Sequence, residues 1–101
     1  MAVETTKWDG AEHLDTPEAI AAYLEAAFED GDPKVITHAL GNVARAKGIS
    51  QIAKDAGVTR AGLYKALSAD GDPRLTTLLG VFKSLGLAVS VHPAWTEQGK
   101  P

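Results

Sequence analysis

Three prolines set the layout of this chain, because each stands directly behind a residue able to cap a helix: Thr16-Pro17, Asp32-Pro33 and Asp72-Pro73. Proline has no N–H to lose in a first helical turn, and its fixed φ suits that position. The side-chain oxygen of a preceding threonine or aspartate accepts one of the free N–H groups at a helix start. Helices are therefore expected to open at all three places. Behind the first, Ile20, Tyr23, Leu24, Ala27 and Phe28 recur on one helical face, and Asp30-Gly31 ends it. Behind the second, Ile36, Ala39, Leu40, Val43 and Ala44 form the stripe and Lys47-Gly48 closes it. Behind the third, Leu75, Leu78, Leu79, Phe82 and Leu85 share a face, with Gly86 as the stop. Gly-Asp-Pro occurs at both Gly31 and Gly71, but the flanks do not match. The two triplets are similar helix starts and not a repeat. Leu87-Ala88-Val89-Ser90-Val91 alternates large and small residues, which predicts a short half-buried strand. Such a strand needs a partner, either the same strand of a second subunit or another segment of this chain.

Between the second and last helices lies Ile49 to Ser68, ISQIAKDAGVTRAGLYKALS. Ser50 is placed to cap a short helix, Gly57 to take the positive φ of a tight turn, and Thr59 to cap a second short helix. Two short helices joined by a glycine-containing turn make a helix-turn-helix. Ala53, four residues before Gly57, is small where the two helices approach. Ile52, Ala56, Val58, Leu63 and Leu67 supply the apolar contacts between them. That leaves Arg60, Ala61, Tyr64, Lys65 and Ser68 facing outward. In this motif the second helix enters the major groove of DNA and its first residues meet base edges. Arg60 suits a bidentate contact to guanine. Thr59 and Ala61 are small enough to let the helix sit deep, and Gly62 permits closer approach. Tyr64 and Lys65 reach phosphates or a base edge. Ser50 and Gln51 stand at the start of the first helix, a position suited to a phosphate. The same pattern also describes two packed helices of a bundle, or a protein-interaction surface.

Charge distribution bears on that choice more than the net −3 does. Residues 1–33 carry Glu4, Asp9, Glu12, Asp15, Glu18, Glu25, Glu29, Asp30 and Asp32 against Lys7, a net of −8. Residues 34–68 carry Lys34, Arg45, Lys47, Lys54, Arg60 and Lys65 against Asp55, a net of +5. The acidic front reads either as a solvated face or as one of two binding surfaces of opposite sign. Trp8 and Leu14, set among those acids, either dock on a basic partner or tuck onto this chain's own core.

Other functions lack their chemistry. His13, His38 and His92 are scattered and share no metal-ligand spacing. The serines have no neighbouring base motif, and there is no Gly-rich phosphate loop. No enzyme, no metal and no cofactor is expected. The chain has no cysteine, so neither a disulfide framework nor a thiolate metal site. No apolar run approaches the roughly 20 residues of a membrane span, and MAVETTKWDG lacks the pattern of a secretory signal. Cytoplasmic location without membrane association is expected. At 101 residues the chain is one domain. Its expected extent is residues 15–93, between tails at 1–14 and 94–101.

From Trp8 to about Pro93 the chain resembles the addiction-module antidote proteins of the HigA type. The resemblance rests on Asp15-Thr16-Pro17-Glu18, Tyr23-Leu24 and Gly31-Asp32-Pro33, then on Ala39 to Gly48 (ALGNVARAKG). It continues through Ser50-Gln51-Ile52-Ala53, Gly57-Val58-Thr59-Arg60, Leu63 to Ser68, Gly71-Asp72-Pro73 and Leu85-Gly86-Leu87. The implied fold is all-α, a compact five-helix helix-turn-helix domain of Cro/C1 repressor type with a short C-terminal β-strand. The implied function is that of an antitoxin in a type II toxin–antitoxin module. It would bind a basic toxin of the RelE/ParE superfamily and repress its own operon as a homodimer on double-stranded operator DNA. Carried over by position, the DNA-binding residues are Thr59, Arg60, Ala61, Tyr64 and Lys65, with Ser50 and Gln51 at the phosphates. Lys47 departs from the family's frequent arginine, and Gly71-Asp72-Pro73 from its frequent asparagine before the proline. A stand-alone repressor without a toxin, or a protein-binding adaptor, remain the alternatives.

Overall fold

The structure, a computed structural model, describes residues 14–94. The expected tails, with Trp8 and Trp95, lie outside this range apart from Leu14 and Ala94. Among the described residues five helices follow one another: α1 (Pro17–Asp30), α2 (Pro33–Lys47), α3 (Ile49–Ala56), α4 (Arg60–Ala66) and α5 (Leu75–Ser84). Three of them start on a side-chain cap, as the sequence leads one to expect. Thr16 Oγ1 accepts the Ala19 N–H at 3.1 Å, and Asp32 Oδ1 accepts the Lys34 N–H at 2.9 Å. Thr59 Oγ1 accepts the Gly62 N–H at 2.9 Å. A cap of this kind contributes about 1 kcal/mol.

The helices enclose one core. α1 packs on α2, α2 on α3, and α3 on both α4 and α5. Ile20, Leu40, Val43, Leu63 and Val81 are the largest fully buried side chains, drawn from α1, α2, α4 and α5. From α3, Ile52 and Ala53 join them. Leu14 is also buried, so the core takes in a residue ahead of the expected boundary at 15. The contact between α3 and α5 is close because Gly80 has no side chain. A Cβ there would lie 2.8 Å from the Ala56 Cα, nearer than real carbons come.

From α3 onward four local expectations fail, each for a physical reason. Helix α3 starts at Ile49 with Gly48 at its N-cap, and no side chain caps it, so Ser50 lies inside the first turn. Helix α5 starts at Leu75 behind Arg74 and not at Pro73. The chain between α4 and α5 is used in reversing direction: Gly71 N–H donates to Ser68 O at 2.8 Å, and the residues up to Arg74 bridge to α5. The buried side of α5 is Thr77, Val81, Phe82 and Leu85, while Leu75 and Leu79 are 68% and 46% exposed. This helix is apolar over more than one face, and periodicity alone does not say which part meets the core. The segment Leu87–Val91 is not a strand; among the described residues there is no strand for it to pair with. Instead the Leu87 N–H closes the end of α5 onto Phe82 O at 2.9 Å, and Leu87 packs against the core.

The uncovered part of α5 borders a groove of about 450 Å³. Phe28 and Leu24 of α1 line it from one side, Leu75, Leu79 and Phe82 of α5 from the other, and Val89 of the C-terminal segment from a third. Phe28, assigned by its spacing to the buried stripe of α1, is 42% exposed. Its ring stands 6.0 Å from that of Phe82 across the groove. No helix in the described range is long and apolar enough to cross a membrane.

Candidate nucleic-acid interface

Two glycines fix how α2, α3 and α4 meet. Gly48, at φ 108°, ends α2 and starts α3 without an intervening residue, so the chain turns sharply there. Gly57, at φ 78°, adopts the left-handed conformation that side chains with a Cβ resist. Its N–H and that of Val58 close the end of α3, on Lys54 O at 3.2 Å and Ala53 O at 3.0 Å. Thr59 then opens α4 after a turn of only three residues. α4 is held down by Leu63, which is fully buried, with Leu67 buried just beyond its end.

With Leu63 inward, the polar side of α4 faces solvent. Ser50, Gln51, Thr59, Arg60, Ala61, Tyr64 and Lys65 are all exposed. Four of these seven come together. Ser50 and Gln51 from the first turn of α3, and Arg60 and Tyr64 from α4, line an open cleft of about 640 Å³ with Arg45, Gly48 and Ile49. The uncapped N-terminus of α3 gives that cleft free backbone N–H groups. The Arg60 guanidinium lies 5.8 Å from the Tyr64 ring centroid, a cation–π distance that restrains both side chains on one turn of α4.

The other three stand apart. Thr59 is engaged in capping α4. Ala61 is exposed outside the cleft. Lys65 borders a different depression, with Gly62, Ser68, Asp70 and Asp72, so carboxylates are its neighbours. Gly62 serves a local purpose that the sequence did not reveal: a Cβ there would sit 2.9 Å from Thr59 Oγ1, against the cap.

Gln51 is partly committed. Its Nε2 donates to Asp55 Oδ1 at 2.9 Å, and Ser84 Oγ donates to Asp55 Oδ2 at 2.7 Å. The bonds from Ser84 first, then Gln51, hold the Asp55 carboxyl below its ordinary value. Asp55 is the one acid between Arg45 and Ser68, and both its oxygens accept bonds from within the chain. Arg45 is the residue that sequence reasoning passed over. In the sequence it offers only its charge, yet it sits three residues before Gly48 and lines the cleft.

An open, cation-lined cleft with free N–H groups suits a phosphate oxygen, and the exposed start of α4 beside it suits a base edge. The chain matches, over residues 4–93, the family model described as "Probable addiction module antidote protein". A protein of Haemophilus influenzae, described as uncharacterized, is 44% identical over 92 residues, 91% of this chain and 95% of its own length. No solved structure matches.

Proposed function

The chain belongs to the family of probable addiction module antidote proteins, and on that premise we propose that it is a DNA-binding antitoxin. In this reading it is of the HigA type, works in the cytoplasm and catalyses no reaction. α3 and α4 act as a helix-turn-helix of the Cro/C1 kind. α4 lies in the major groove, Arg60 reads a guanine, and the start of α3 with Ser50 and Gln51 rests on a phosphate. The protein binds its own operator as a homodimer, and a toxin of the RelE/ParE superfamily is its protein partner. The observation that carries the DNA reading is the one cleft that Ser50 and Gln51 of α3 share with Arg60 and Tyr64 of α4, lined by no carboxylate. The toxin reading draws on family membership and on the acids of α1, where Glu18, Glu25, Glu29 and Asp30 are all exposed and suit a basic partner.

The test has two parts. Gel shifts with the DNA upstream of the protein's own gene are expected to show a specific complex. Arg60→Ala is expected to weaken it by roughly 1–3 kcal/mol and to relax preference at one base position. An unchanged shift with that variant removes Arg60 as a reader. Co-expression with the adjacent gene is expected to rescue cells from a small basic toxin and to yield a complex on co-purification. An adjacent gene whose product is harmless alone returns the protein to a stand-alone repressor.

A further inference from the structure

Behind the cleft runs a chain of polar contacts that links α1 to the cleft's rim. The Asn42 side-chain amide, half-buried on α2, donates through Nδ2 to the Tyr23 hydroxyl of α1 at 2.9 Å. One turn further on, an Arg45 guanidinium nitrogen donates to Asn42 Oδ1 at 2.6 Å. The guanidinium also lies back along α2 over Gly41, one nitrogen 3.3 Å from where a Cβ of that residue would be. Arg45 is exposed and held at once: Asn42 and the space over Gly41 take its guanidinium, and the residue lines the cleft.

The partner that holds it is neutral. Helix α2 contains no acid, and the one acid of α3, Asp55, is occupied by Gln51 and Ser84. A carboxylate partner would have made a stronger, charge-assisted bond and cancelled the charge. Here no carboxylate offsets the charge of a residue that lines the same cleft as Arg60 and the first turn of α3. Tyr23 and Asn42 contribute no atom to the cleft lining, so what they supply is orientation.

The geometry points to Arg45 as a second DNA contact, a clamp on a backbone phosphate, with Asn42 and Tyr23 as its positioning residues. The inference rests on the DNA reading above and adds to it a residue and a division of roles. Arg60 discriminates sequence, and Arg45 supplies sequence-independent affinity. A neutralised phosphate releases condensed counterion, so such a contact is visible as salt dependence and not only as affinity.

The experiment is a fluorescence-anisotropy titration of the full chain across a salt series. Its probes are a duplex from upstream of the protein's own gene and a scrambled duplex of equal length and composition. Arg45→Ala is expected to weaken both duplexes by the same factor, about tenfold near 0.1 M salt, and to lower the log–log salt slope by about 0.9. Arg45→Lys is expected to recover the slope but only part of the affinity, since an ammonium cannot hold Asn42 and a phosphate in the same geometry. Tyr23→Phe is expected to leave the slope intact and weaken binding about threefold, through a loosened Asn42. Thermal melting of each variant guards against an unfolding artefact; Arg45 is exposed, so its variants are expected to melt as the wild type does. Wild-type binding with an unchanged slope and affinity for Arg45→Ala overturns the clamp. A loss confined to the upstream duplex overturns it too, making Arg45 a base reader. A Tyr23→Phe protein equal to wild type overturns the positioning role. Failure of the wild type to bind either duplex overturns the DNA reading itself.

Discussion

Leu63→Ala is the substitution that most directly tests how α4 is held. Leu63 is fully buried and is the one buried residue within the seven-residue span of α4. A helix this short has no stability alone, since isolated helices below about 12–15 residues are marginal in water. Its order therefore comes from the Leu63 contact, the neighbouring Leu67 and the Thr59 cap. Removing a buried leucine side chain to its Cβ costs about 2–5 kcal/mol, the spread reflecting how far the site collapses. With Leu63 fully buried and α4 packed on α3, the expected loss lies near the middle of that range, at about 3 kcal/mol. For a domain of this size that lowers the melting temperature by roughly 12–24 °C. Of a typical stability of about 5–15 kcal/mol enough remains for the variant to fold at room temperature. Urea unfolding followed by circular dichroism gives the free energy, and native-state hydrogen exchange on the α4 amides shows whether that helix opens first. Arg60→Ala, run beside it, is expected to move stability by no more than about 0.5 kcal/mol. A cost below about 1 kcal/mol for Leu63→Ala, or an equal cost for Arg60→Ala, would refute the argument that one buried leucine seats this helix.

Two further outcomes are expected. Thr59→Ala removes the cap on Gly62 N–H and should cost about 1 kcal/mol, with Thr59→Ser recovering most of it; chemical denaturation of the three proteins decides this. Asp55, whose carboxyl is held below its ordinary 3.8 by Ser84 and Gln51, links α3 to α5. A depressed folded value means that its contribution is present above the unfolded value and is lost as pH falls through the folded one. The stability advantage of wild type over Asp55→Asn should therefore hold at neutral pH and shrink below about pH 4; an advantage constant down to pH 2 would show that the ionised carboxylate contributes nothing.

The sequence was most legible where one local signal decides the backbone. Thr16, Asp32 and Thr59 cap the helices their spacing assigns to them, and Gly57 takes the left-handed turn. It was least legible where two local answers are equally good. Gly48 and Ser50 both suit the start of α3, and the backbone bend at Gly48 prevails. On α5, Leu75, Leu79, Val81 and Phe82 offer two overlapping apolar arcs, and the close approach at Gly80 selects the side that turns inward. The Leu87–Val91 alternation is a strand pattern without a neighbouring strand, and pairing is a long-range property that no window of sequence contains. At the cleft, Ser50, Gln51, Arg60 and Tyr64 were legible because they follow from the two helices' own periodicity. Arg45 was not, since its place depends on contacts with Asn42 and, through it, with Tyr23 nineteen residues earlier.

The split between inward Leu63 and its outward neighbours on α4 has an evolutionary consequence. Arg60, Ala61, Tyr64 and Lys65 are exposed, so the scaffold places little restriction on what occupies them. Related chains can then exchange these few surface letters while the frame beneath stays constant. Thr59 is the exception, because its exposed hydroxyl starts the helix, so the fold constrains a surface position there.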